Sequence, residues 1–129
     1  MASWRDLSRD AILAAKRLLL DDCRRSSTSR AYYAAYSAVA ARMTEEQVSF
    51  HAGWNNPSHD QIPRWLAHHG KWPIGRRRLI ANAMRRLRMA RENADYRPSI
   101  SITRSDVIRS CKDAAMILQW LGVQYANDL

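Results

Sequence analysis

The stretch SRAYYAAYSAVAARM, from Ser29 to Met43, decides the fold. Tyr32, Tyr36, Val39 and Met43 recur at steps of three and four residues, which places them on one side of an α-helix. The alanines between them are small enough to let a neighbouring helix approach closely. A helix of this kind needs other helices to cover it, and no flanking segment alternates as a β-strand would.

Working outward, the first segment begins at Ser3, an N-cap residue, and carries Trp4, Leu7, Ala11, Ala14 and Leu18 as an apolar stripe before DDCRRSST breaks it. The second helix is expected to start near Ser27 to Ser29. From Glu45 to Trp72 the chain contains Gly53, NNPS, Pro63 and Gly70, which predicts a long irregular connection with at most a short helix from Ser58 to His69. Pro73 suits the opening turn of a third long helix that runs to about Asp95 and stops before Pro98. Thr103 with Asp106 makes a capping-box start for the last helix, followed by Val107, Cys111, Ala114, Leu118, Leu121 and Tyr125 at heptad spacing. Four amphipathic helices and one short one predict an all-α fold, an antiparallel bundle of four to five helices. At 129 residues, 1–129 reads as a single domain.

The formal charge is +9, and only Lys16, Lys71 and Lys112 are lysines, so planar arginine donors dominate the positive surface. Phosphate, carboxylate or an acidic protein would suit that surface, and genome composition alone would also produce it. Cys23 and Cys111 have neither metal nor redox spacing, and two cysteines make no disulfide framework, which fits a reducing cytoplasm. His51, His68 and His69 lack a companion cluster of cysteines or carboxylates, so no metal and no cofactor are expected. No apolar run is long enough for a bilayer and MASWRDLSRD has no apolar centre, so neither membrane nor secretion is expected.

At about 100° per residue, Ile80, Ala83, Leu87, Ala90 and Ala94 share one face of the third long helix, while Arg78, Arg85 and Arg88 are expected to face solvent. Arg91 returns to within about 20° of the apolar stripe, and Asp95 follows one turn later at about 60°. A charged pair so placed points at the core or at a subunit contact, where unpaired charges cost several kcal/mol each. It reads either as a structural ion pair or as a functional polar cluster.

The Ser29–Met43 helix, the turn PSHDQI with His59, the motif RENADY ending in Ala94, Asp95 and Tyr96, and the last amphipathic helix occur in that order. Together, from about Ser29 to Leu121, they resemble the HEPN proteins of bacteria and archaea, in the subgroup whose third long helix ends with an arginine followed by Ala-Asp-Tyr. The resemblance implies a helical bundle, a homodimer, and genomic company with nucleotidyltransferases in toxin–antitoxin or defence modules. Its ribonuclease branch is a metal-independent endoribonuclease in which an arginine, and a histidine four to six residues later, meet their symmetry mates across the dimer. There the arginine stabilises phosphate charge and the histidine moves the proton of the attacking 2′-hydroxyl. On this chain the resemblance maps to Arg91, Asp95 and Tyr96. Asp95 stands where the histidine would, and an aspartate with an ordinary pKa of about 3.9 is a feeble base at neutral pH. That departure counts against cleavage.

Arg64 and His69 in RWLAHHG have the same literal spacing but lie in the irregular connection. His59 reads as a structural residue of its turn. Arg76, Arg77, Arg78, Arg85, Arg86 and Arg88 form a ridge, of which Arg77, Arg78, Arg85 and Arg88 are the candidates for nucleic-acid contact. Trp65 and Trp72 read as core, or else as stacking platforms for unpaired bases. Tyr32 and Tyr36 read as core, and Tyr33 as the better candidate for a surface role. The expected function is that of a HEPN-like component of a toxin–antitoxin or defence module that binds or acts on RNA. The alternative is a non-catalytic dimerisation or partner-binding module, for example for a nucleotidyltransferase or an antitoxin.

Overall fold

Ser3 and Thr103 start their helices by the same device. Each hydroxyl accepts the amide of an aspartate three positions on, Asp6 or Asp106, while that carboxylate accepts the cap residue's own amide. In the computed structural model, which describes residues 2–51, 53–69 and 71–125, five helices follow: α1 (Trp4–Leu20), α2 (Arg24–Glu45), α3 (Gln61–Ala67), α4 (Ile74–Tyr96) and α5 (Arg104–Trp120). The fold is an all-α helical bundle, with no strand among the described residues.

α2 is the central helix. Its alanines and Tyr32, Tyr36, Val39 and Met43 are all buried, and α1, α4 and α5 pack around it. Side-chain bonds fix the directions. The Ser8 hydroxyl donates to the Ala34 carbonyl, and the Ser27 hydroxyl to the Ala15 carbonyl, so α1 runs antiparallel to α2. Tyr33 meets Arg91 and Ser29 meets Asp95, which makes α4 antiparallel to α2 as well. Ser27 lies against Cys111, and Arg42 reaches the Leu121 carbonyl, so α5 runs parallel to α2. Fully buried aliphatic side chains such as Ile12, Ile62, Leu87 and Leu118 each stabilise this core by about 1.5–3 kcal/mol relative to exposure.

Several boundaries and faces differ from the sequence expectation, among them the end of α5, which stops at Trp120 ahead of Leu121 and Tyr125. α2 begins at Arg24, ahead of the serines, because the chain reverses through Asp22 in the left-handed region at φ 59°. Pro73 caps α4 with extended backbone instead of occupying its first turn. α1 buries Ser8, Ala11, Ile12 and Ala15, whereas Leu7 is exposed and Leu18 only half-buried. Its second half, ILAAKRLLL, is apolar on several sides, so the packing of α2 and not periodicity chose the face.

Two polar clamps close the bundle. Arg25 donates to the carbonyls of Asn93, Ala94, Arg97, Pro98 and Ile100, which ties the start of α2 to the last turn of α4 and the segment after it. At the opposite end, Glu46 accepts from Arg42 and His69 at 3.0 and 3.1 Å. Buried His69 stacks on Trp72, with ring centres 4.4 Å apart. No described helix is long and apolar enough to cross a membrane.

Candidate functional site

The antiparallel pairing of α2 and α4 lays the tyrosines of the first against the RENADY end of the second. Arg91 donates from Nη2 to the hydroxyls of Tyr33 at 2.9 Å and Tyr96 at 3.1 Å. Its Nε lies 3.1 Å from the Asp95 carboxylate, close enough for an ion pair but outside hydrogen-bond geometry, and that nitrogen is buried without a hydrogen-bond partner. Asp95 also accepts from the Ser29 hydroxyl at 3.1 Å. The guanidinium sits over the rings of Tyr32, Tyr33 and Tyr96 at 5.9, 5.4 and 5.0 Å. Side-chain exposure is 14% for Arg91 and 27% for Asp95, so the pair is turned inward, as the helical geometry requires. Burial works against the arginine's charge, but Tyr33, Tyr96 and Asp95 outweigh it and hold the pKa above its ordinary value.

A histidine reaches the same cluster from elsewhere in the chain. The loop before α3 brings His59 Nδ1 to the Tyr32 hydroxyl, with the imidazole against the Tyr32 and Tyr36 rings at 5.5 and 5.4 Å. Burial, and then the charges of Arg88 and Arg91, push the His59 pKa down. Burial pushes that of Tyr32 well up, so the phenol keeps its proton. The Tyr32 hydroxyl and the imidazole Nδ1 share one hydrogen bond, which fixes the ring against α2.

Arg88 is not solvent-facing as expected. It bridges Asp60 at 2.6 Å and Glu92 at 3.2 Å, because the loop carrying His59 folds over this edge of α4. The cluster therefore sets two guanidiniums, Arg88 and Arg91, against three carboxylates, Asp60, Glu92 and Asp95. It has no positive charge to spare for a phosphate.

The other predicted residues lie apart from this cluster. Arg78 and Arg85 are exposed on the outer face of α4 and make no ion pair among the described residues; Arg77 is half-buried, with its Nε enclosed. The ridge is interrupted: Arg86 is bound to Asp113 at 3.0 Å, and Arg76 covers the Trp120 ring at 4.6 Å. Arg64 and His69 point apart, the first exposed and the second buried against Glu46. Trp72 is buried and Trp65 is packed against the core, whereas the exposed indole is Trp54. Nothing in the spacing could have joined His59 to Tyr32, since that contact is made by a loop closing over α2 and the edge of α4. Among the described residues no group of three histidine, cysteine or carboxylate side chains could hold a metal. A separate groove of about 310 Å³ lies between α4 and α5 beneath Ile100 and Ile102, away from the Arg91 cluster.

No family model matches the chain. Comparison with curated proteins and with solved structures likewise finds no match.

Proposed function

We propose that this chain is a HEPN-like helical module that binds RNA through the outer face of α4. The observation that carries this reading is the contrast within one helix: Arg86, Arg88 and Arg91 are matched by carboxylates, while Arg78 and Arg85 are exposed and lack an ion pair among the described residues. They lie on the same side, about 10 Å apart along the axis, a separation that neighbouring phosphates of a flexible strand can meet. The setting in a toxin–antitoxin or defence module rests on the sequence resemblance alone. What speaks against cleavage is that Arg91 is engaged by Asp95, Tyr33 and Tyr96, and that Asp95 stands where the motif histidine would.

A second reading has its own observation. Ile74, Leu79, Met89 and Tyr96, all on α4, are each more than half exposed, which suits a protein partner: a second copy, an antitoxin or a nucleotidyltransferase.

The test is binding of single-stranded and transfer RNA at several salt concentrations, without metal, with cleavage followed in the same samples. RNA reading predicts retention that weakens with salt and is reduced in Arg78→Gln/Arg85→Gln. Retention indifferent to both arginines would end it. Cleavage that vanishes in Arg91→Ala would instead restore the nuclease reading.

A further inference from the structure

Four of the five tryptophans belong to the core or pack against it: Trp4, Trp65, Trp72 and Trp120. Trp54 does not, and it is 51% exposed. It is nevertheless held in a defined place. The Trp54 amide donates to the His51 carbonyl at 2.9 Å, closing a turn whose Gly53 takes φ 77°, a backbone conformation that favours glycine. The His51 ring abuts the indole edge-on, with centres 5.0 Å apart. The residues that follow are fastened to α2. Tyr36 donates to the Pro57 carbonyl at 2.7 Å, and the Asn56 side chain at the same hydroxyl offsets part of the rise that burial causes in the Tyr36 pKa. Trp4, whose ring meets Tyr36 at 6.0 Å, forms the facing wall.

The result is an open cleft lined by Trp4, Trp54, Asn55 and Asn56. Its lining holds two indoles, two carboxamides and no charge. No cation is there to pair with a phosphate, and an aliphatic peptide side chain would leave the amides unanswered. A flat heteroaromatic ring with donors and acceptors on its edge answers both: the indole face stacks on the ring, and the carboxamide of Asn55, which makes no hydrogen bond among the described residues, meets the edge. We propose that this cleft is a subsite for one unpaired base of a bound RNA strand, with Trp54 as the stacking platform and Asn55 as the edge contact. This rests on the RNA reading above and adds to it a preference for unstacked, single-stranded segments. The cleft lies one ring away from His59, since Tyr36 touches both Trp4 and the imidazole.

The experiment compares the full chain with Trp54→Ala and Asn55→Ala on three probes: a single-stranded oligoribonucleotide, the same oligomer with abasic positions, and a free nucleoside monophosphate. Both variants change exposed side chains, so their unfolding curves should match that of the parent chain. Trp54→Ala is expected to weaken oligomer binding by about 5- to 150-fold at unchanged salt slope, because the lost stacking carries no charge. The abasic oligomer should bind both proteins alike. RNA binding by the parent chain that is indifferent to Trp54 and to the bases refutes the subsite and leaves the proposed function standing. No RNA binding by the parent chain refutes both. Binding of the free monophosphate as tight as that of the oligomer, lost in Trp54→Ala, would make the occupant a free nucleotide and overturn the assignment to RNA.

Discussion

Tyr32 and His59 share a hydrogen bond that ties the middle of α2 to the loop ahead of α3. The loop is thereby laid over the edge of α4, where Asp60 takes hold of Arg88 and the charges of Arg88 and Arg91 act on the imidazole. One contact thus assembles three segments that are distant in sequence.

That contact should be visible in the pH dependence of stability. In the folded chain burial lowers the His59 pKa first, and Arg88 and Arg91 lower it further, against the smaller opposing effects of Asp60 and Glu92. An unfolded histidine titrates near about 6.5, so below that value the unfolded chain binds more protons than the folded one. The contribution of His59 is therefore complete above about pH 6.5 and is lost as pH falls towards the depressed folded value. Urea unfolding across that range should show a steeper loss for the parent chain than for His59→Gln. Identical slopes would assign the pH dependence to other groups.

Arg25 is expected to be the most costly exposed-edge side chain to remove. Its guanidinium satisfies carbonyls at the end of α4 and in the segment beyond it, and Arg25→Ala leaves them to water or to nothing. A loss of about 2 kcal/mol is expected in denaturant unfolding, with little recovery in Arg25→Lys, since an ammonium cannot serve several carbonyls in a planar fork. Full recovery by lysine would show that charge alone matters.

For Arg91 and Asp95, a double-mutant cycle separates the ion pair from the aromatic seat. The coupling between Arg91→Met and Asp95→Asn should be on the order of 1 kcal/mol, given that the carboxylate is partly solvated. Arg91→Met alone should cost more than Asp95→Asn alone, because it also removes the partner of the Tyr33 and Tyr96 hydroxyls. The reverse order would mean that the tyrosines contribute nothing to holding the arginine.

Arg85 and Arg88, three residues apart on the same helix, should respond oppositely. Arg85→Gln should leave stability within about 0.5 kcal/mol while lowering the RNA salt slope by about one phosphate contact. Arg88→Gln frees Asp60 and Glu92 from their partner and should lower stability by about 1 kcal/mol with little change in that slope. Equal effects on binding would mean that RNA also engages the loop edge of α4.

Much of the architecture was legible before any tertiary contact was known. The caps at Ser3 and Thr103, the burial of Tyr32, Tyr36, Val39 and Met43, and a short helix within the Glu45–Trp72 connection all follow from local chemistry and from period. The inward turn of Arg91 was legible too, since about 100° per residue fixes a side chain's direction once the core face is known. The buried face of α1 was not, because a helix apolar on several sides lets its neighbour choose. Nor was the state of each arginine, because Arg85 and Arg88 differ only in whether a carboxylate from another segment happens to reach them.

Local chemistry thus set which segments are helical, the two capping-box starts and the face of α2 that enters the core, since these depend on bonds and torsions within a few residues. Which loop residue meets which helix was settled by tertiary packing: His59 beside Tyr32, Asp60 on Arg88, Trp54 left outside the core while Trp72 entered it. Those contacts join segments far apart in the chain, and their energies depend on the path of a loop that periodicity does not describe.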